Sequence, residues 1–187
     1  MLKPQDILLA CKLFGIGNEP WPLRRLAGSI SISLGEAHAS VGRCREAGIL
    51  TSPRGRLSVV RKGLFRLVSV SAPQVYYAVR GRVDAGVPTS VHAEPLAGVF
   101  GVPVGAIPLV WPDVLGTARG ETLVPIYPTV PRAVRDDPPL HRLLALIDVV
   151  RAGEPAERRL ATDLLERMIL GDGRTRDGRS ATAGTVK

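Results

Sequence analysis

A mainly α-helical protein is what this sequence predicts: an N-terminal helix-turn-helix with a short wing, a Pro-rich middle with a small β-sheet, and a C-terminal antiparallel helix pair. Three observations carry that prediction. Ser33-Leu34-Gly35-Glu36 reads as a capping box at a helix start. A second short helical segment ends only about three residues upstream, the turn length that a helix-turn-helix allows. Eleven of the 16 prolines then fall between Pro73 and Pro139, before Leu-rich helical periodicity resumes.

The first helix is expected from about Pro4 to Phe14, with Ile7, Leu8, Cys11 and Phe14 on one side and Gly15 and Gly17 ending it. Trp21-Pro22 opens the second, Pro22 suiting a first helical position, and Leu23, Leu26 and Ile30 form its apolar stripe. The third runs from about Leu34 to Ala47, with Leu34, Ala37, Val41 and Cys44 facing the core. Thr51-Ser52-Pro53-Arg54-Gly55-Arg56 reads as a basic turn at the tip of a small β-hairpin wing. Ser58 is expected to cap a fourth helix through Val68, with Val60, Leu64, Leu67 and Val68 buried. In the middle, Val75–Val79 and Thr122–Tyr127 are the strand candidates, with 81–112 looping between them. After Pro139, Leu140, Leu143, Leu144, Ile147 and Val150 line a helix ending at Gly153; Leu160, Leu164, Leu165 and Met168 line its antiparallel neighbour. The chain thus divides into a DNA-binding unit (1–72), a Pro/Gly-rich segment with short strands (73–139), a helix pair (140–170), and a disordered Gly-, Arg-, Ser- and Thr-rich tail (171–187).

Charge follows the same division. The whole chain carries +8, yet residues 1–72 hold 11 basic and 4 acidic side chains. Residues 73–170 hold 10 and 11. The polycation therefore coincides with the helix-turn-helix pattern, which favours a polyanionic partner. Two cysteines, Cys11 and Cys44, lie on apolar stripes and make neither a disulfide framework nor a metal cluster. His38, His92 and His141 are scattered, with no pair at ligand spacing, so no metal and no cofactor is expected. Asp136-Asp137 reads as turn and cap chemistry rather than paired catalytic carboxylates. With no nucleophile motif and no phosphate loop behind a strand, the sequence reads as no enzyme. No signal sequence or membrane-spanning run is seen, so a cytoplasmic location away from membranes is expected.

The stretch Leu2–Leu50 resembles the winged helix-turn-helix of MarR-type bacterial regulators, with Leu34-Gly35-Glu36-Ala37-His38-Ala39-Ser40-Val41-Gly42-Arg43 in the position of the recognition helix. The wing is shorter than in that family, and its flanking dimerisation helices are not apparent. The remainder resembles a set of small bacterial helix-turn-helix proteins carrying Gly86-Val87-Pro88-Thr89, Val110-Trp111-Pro112 and Pro125-Ile126-Tyr127-Pro128 before a Leu-rich helix pair. The resemblance implies a regulator, and together with the helix-turn-helix pattern and its charge the expectation is sequence-specific binding of double-stranded DNA and transcriptional repression.

The residues expected to meet DNA follow from the helical wheel and the charge. Ser33 caps the reading helix, and Gly35, Glu36, His38, Ala39, Ser40 and Arg43 form its outer faces, with Arg45 near the boundary, His38 and Ser40 at base edges and Arg43 on a guanine or a phosphate. Arg24 and Arg25 on the second helix, with Arg54 and Arg56 on the turn, are placed on phosphates; Arg61 and Lys62 extend the same charge. A homodimer through the apolar faces of the C-terminal helices is expected, because one reading helix covers only a few base pairs. The rival reading is a protein-interaction adaptor, such as the regulatory partner of a toxin or defence enzyme, in which the helix-turn-helix is a scaffold and the Pro-rich middle docks a partner. There Trp111, Tyr76, Tyr77 and Tyr127 either line a pocket or anchor an irregular segment.

Overall fold

The computed structural model describes residues 1–17 and 19–171; the expected tail beyond Gly171 lies outside the described residues. The fold is mainly helical, with a small sheet and a C-terminal helix pair. Helix α1 (Pro4–Ile16) sits at the centre of the N-terminal half. Every residue from Gln5 to Cys11 is buried, as is Leu13, so packing surrounds the helix rather than lining one stripe. Helices α2 (Leu23–Ser29) and α3 (Leu34–Glu46) pack on it and on each other. Strands β1 (Leu50–Thr51) and β2 (Ser58–Val59) then form a two-stranded antiparallel hairpin, pairing Leu50 with Val59 and Thr51 with Ser58.

Ser58 is therefore a strand residue and not a helix cap. The helical run starts at Arg61 as α4 (Arg61–Arg66), passes through one π-helical turn (Leu67–Ser71), and ends as α5 (Ala72–Val75). The expected strand 75–79 thus begins as a helix end, and pairing starts five residues later. Strand β3 (Arg80–Pro88) occupies the start of the expected long loop, and β4 (Leu109–Pro112) its end. β5 (Ala118–Leu123) falls four residues earlier than its expected start. β3 pairs antiparallel with both others (Val87 with Trp111, Ala85 with Arg119), while β4 and β5 run parallel (Val110 with Thr122). The three strands close on themselves. That closure needs glycine: a Cβ on Gly86 would meet the Trp111 carbonyl, and one on Gly116 would meet the Gly86 backbone. Helices α6 (Leu96–Phe100) and α7 (Val130–Val134) complete the middle.

Helix α8 (Pro138–Ala152) begins at its Asp137 cap, whose carboxylate accepts from the Leu140 N–H at 3.1 Å. Leu140 and the unbroken run Leu143–Arg151 are buried. Helix α9 (Pro155–Leu170) packs on α8 and α4 through Ala161, Leu165 and Ile169. One hydrophobic cluster runs from Ile7 to Ile169, so the C-terminal pair closes the core of the N-terminal half. Much of those apolar faces is used within the chain, while Leu160 stays exposed and Leu164 and Met168 are half-buried.

Polar ties fix the two halves together. Lys12 pairs with Asp137 at 2.5 Å, the Thr129 hydroxyl donates to the Ile30 carbonyl, the Tyr76 hydroxyl donates to the Leu2 carbonyl, and Arg61 donates to the Ile169 carbonyl near the end of α9. Beneath the sheet, Asp148 of α8 accepts from the Thr89 hydroxyl (2.9 Å), the Trp111 Nε1–H (2.6 Å) and the Arg151 guanidinium (2.5 Å). Arg151 also donates to the carbonyls of Tyr76, Tyr77 and Val124. Trp111, expected as a pocket wall or an anchor, is an anchor. No helix among the described residues is long and apolar enough to cross a membrane.

Candidate nucleic-acid interface

The start of α3 is capped as its sequence demands in one direction only. The Ser33 hydroxyl accepts from the Glu36 N–H at 3.1 Å. The other half of the expected capping box is replaced, because the Glu36 carboxylate turns to Gln5 and Arg43, both at 2.7 Å. Glu36 is thereby occupied within the protein, and the hydrogen bonds from Arg43 and Gln5 hold its pKa below the usual carboxylate range.

Ser40 and Arg43 do not stand on the outer face. Ser40 is fully buried and donates to Asp6 Oδ1 at 2.5 Å. Arg43 folds back across α1, giving two hydrogen bonds to the Asp6 carboxylate (2.8 and 2.7 Å) besides the one to Glu36. Asp6 also accepts from the Lys3 N–H at 2.8 Å. Burial pushes the Asp6 carboxyl up, yet the bonds from Arg43, Ser40 and the Lys3 N–H outweigh it and hold the pKa below the ordinary value. The physical reason for both departures is one buried acid. A carboxylate with 0% exposure needs donors, and the nearest ones on α3 are those at 40 and 43. Cys44 packs in the same layer, where burial pushes its thiol up to about 12.

What remains outside on α3 is Gly35, His38, Ala39, Gly42, Arg45 and Glu46. Gly35, His38 and Ala39 thus lie on the exposed surface, as expected, and Arg45 joins them. His38 and Arg45 are separated by two helical turns along one face. On α2, Arg24 and Arg25 are exposed, and Arg25 lies over the Trp21 ring at 4.2 Å. Arg54 and Arg56 are exposed at the hairpin tip, where Arg54 and Gly55 both take positive φ (53° and 76°). Helix α2, which carries Arg24 and Arg25, packs on α3, and β1, which leads to the hairpin tip, follows α3 directly and contacts it. Arg61 lies over the Phe14 ring as well as meeting α9.

Sequence reasoning missed Asp6, Gln5 and Lys12. One signal for Asp6 was present: an acid in the first turn of a helix, directly before the apolar run Ile7–Cys11, in a segment that is net basic. In comparisons with protein-family models, curated proteins and solved structures, nothing matches this chain.

Proposed function

We propose that this chain is a transcriptional regulator that binds duplex DNA as a winged helix-turn-helix protein, with α3 in the major groove and the β1–β2 hairpin as its wing. The observation that carries the reading is a division of labour among the basic residues. Arg43 is spent on holding α3 against α1, whereas Arg24 and Arg25 stay exposed on α2, which packs on α3, and Arg54 stays exposed at the tip of the hairpin that follows α3. Base reading falls to His38 and Arg45, and Gly35, Ala39 and Gly42 let the helix backbone come close to the groove floor. Phosphate contacts supply most of the affinity in such an arrangement. Pairing of two copies on a palindrome as a repressor belongs to the same reading, with the dimer surface outside the buried faces of α8 and α9.

Fluorescence anisotropy of the purified protein on DNA from its own upstream region, against a scrambled duplex of equal length, tests this. A preference approaching ~10³-fold at physiological salt supports a specific regulator. Equal binding that vanishes as salt rises reduces the reading to general electrostatics.

One observation favours a second reading, that of a protein-interaction adaptor. The Pro-rich middle leaves Tyr77, Val104, Ile107, Val114 and Leu115 at least two-thirds exposed. Apolar side chains in such numbers on one segment suit a protein partner. Absence of binding to either duplex moves the assignment there.

A further inference from the structure

The antiparallel ladder between β3 and β4 runs through Val87–Trp111 and Pro88–Val110, and then the Thr89 N–H donates to the Leu109 carbonyl at 2.9 Å. A reciprocal bond from the Leu109 N–H to the Thr89 carbonyl would complete the next rung. That carbonyl instead accepts from the His92 N–H at 3.1 Å, because Ser90, at a positive φ of 56°, turns the chain into the 3₁₀ turn Ser90–His92. The Leu109 N–H goes to the His92 ring, donating to Nδ1 at 3.2 Å. Half-buried His92 thus fills the last rung of the ladder with one backbone and one side-chain group. A ring nitrogen that accepts a hydrogen bond carries no proton, so the imidazole is the neutral Nε2–H tautomer.

Protonation would set a second N–H against the first. Burial holds the His92 pKa below its ordinary value; Glu157 of α9 opposes that shift and Arg80 of β3 adds to it. Helix α8 packs on the same turn and brings His141 and Asp148. Both are engaged elsewhere: His141 Nε2 donates to the Pro88 carbonyl, and Asp148 accepts from Thr89, Trp111 and Arg151. Helix α6 and β4, which also pack on the turn, carry no titratable side chain. We infer that His92 is an acid-operated latch: its neutral ring holds the start of β4, and a proton at Nδ1 releases the Leu109 N–H and loosens the 101–108 loop. That loop leaves α6 at Gly101, exposes Val104 and Ile107, and is fixed at its far end by Leu109. The native state binds fewer protons at His92 than the unfolded chain, so the latch is closed at neutral pH and its contribution is lost as pH falls below about 6.5. The inference is independent of DNA binding, and its test contains no DNA.

The experiment is NMR spectroscopy of the isotope-labelled full-length protein between pH 7 and pH 5. Long-range nitrogen–proton correlation should show His92 protonated at Nε2 alone at pH 7, and the Leu109 amide shift should titrate with the same midpoint as the ring. Corrected for the intrinsic pH dependence of exchange, protection of the Leu109 amide should fall by about threefold or more across this range, while Trp111, two residues on, keeps its own. His92→Asn puts an oxygen that accepts but does not titrate close to the place of Nδ1. In that variant the protection should survive and its pH step should vanish. His92→Ala should lose the protection at every pH, and His92→Asn decides the matter if the alanine variant does not fold. An Nδ1–H tautomer at pH 7, a Leu109 shift that ignores the titration of the ring, or the same pH step in His92→Asn would overturn the inference.

Discussion

Arg43 of the third helix grips both oxygens of Asp6 on the first, at 2.7 and 2.8 Å, and thereby sets the angle at which the helix presents its outer face. Asp6 is fully buried, and the Arg43 side chain retains 16% exposure. Removing one partner of a buried pair costs about 3–5 kcal/mol where the other is left uncompensated. Arg43 keeps Glu36 when Asp6 is removed, so Asp6→Ala should lower the free energy of unfolding in urea by at most that amount. Arg43→Ala should also destabilise, and the double variant should cost less than the sum of the singles by about 0.5–3 kcal/mol. Strict additivity would show that the pair is not coupled in solution.

Acid should expose the same pair. Asp6 and Glu36 both have pKa values held below their unfolded ones, so the native state binds fewer protons than the unfolded chain as pH falls. Their contribution is fully present above the unfolded values of about 4 and is lost as pH drops through the depressed folded values. Asp148 is pushed the other way by burial and contributes an opposite slope, common to the wild type and any Asp6 variant. Thermal melts between pH 7 and pH 2 should show a steep acid limb in the wild type and a shallower one in Asp6→Asn. Parallel limbs would refute the assignment.

The Asp148 cluster is where the sheet is fastened to the helices. Trp111→Phe keeps most of the ring's volume and removes the Nε1–H donated to Asp148 at 2.6 Å. A hydrogen bond to a charged group contributes about 1.5–3 kcal/mol, so the melting temperature should fall by roughly 3–12 °C for a chain of this size. Asp148→Ala should cost more, because Arg151, only 2% exposed, is left with backbone carbonyls alone. A variant Trp111→Phe that melts with the wild type would show the bond to be dispensable.

How much of this was legible in the sequence depended on where the stabilising contacts lie. Helices α1 and α3 begin at their expected starts and α8 two residues before its own, because their periodicity and caps are local: Ser33, Asp137 and the prolines at 4 and 138 mark those starts. β3 was illegible because its first four residues are exposed and show no apolar alternation. It exists through non-local pairing, with β5 and β4 closing round it, and through glycines that permit the close approach. The inward turn of Ser40 and Arg43 was illegible for a related reason. A helical wheel assigns polar residues to solvent, and only the buried carboxylate of Asp6, on a different helix, reverses that for 40 and 43. The fate of α8 was half legible: the Leu-rich face was plain, while its partner, the core around α1 rather than a second copy, is a tertiary fact.

The separation of structural from exposed arginines gives the proposed DNA interface a signature that binding strength alone lacks. Each phosphate contact adds about 0.9 to the negative slope of log K against log salt on duplex DNA. Arg24 and Arg54, exposed on α2 and at the hairpin tip, should each account for one such contact. The double substitution Arg24→Ala with Arg54→Ala should then flatten the slope by about two units while leaving the unfolding free energy within about 0.5 kcal/mol of wild type. Arg43→Ala should do the reverse, since its guanidinium is committed to Asp6 and Glu36. Measured well below its lowered melting temperature, it should keep the wild-type salt slope and lose affinity only through displacement of α3. A slope that falls by a full unit in Arg43→Ala would mean that the side chain leaves Asp6 to meet phosphate on binding. A slope unchanged in the Arg24/Arg54 double variant would remove α2 and the hairpin from the interface, and with them the winged reading of this chain.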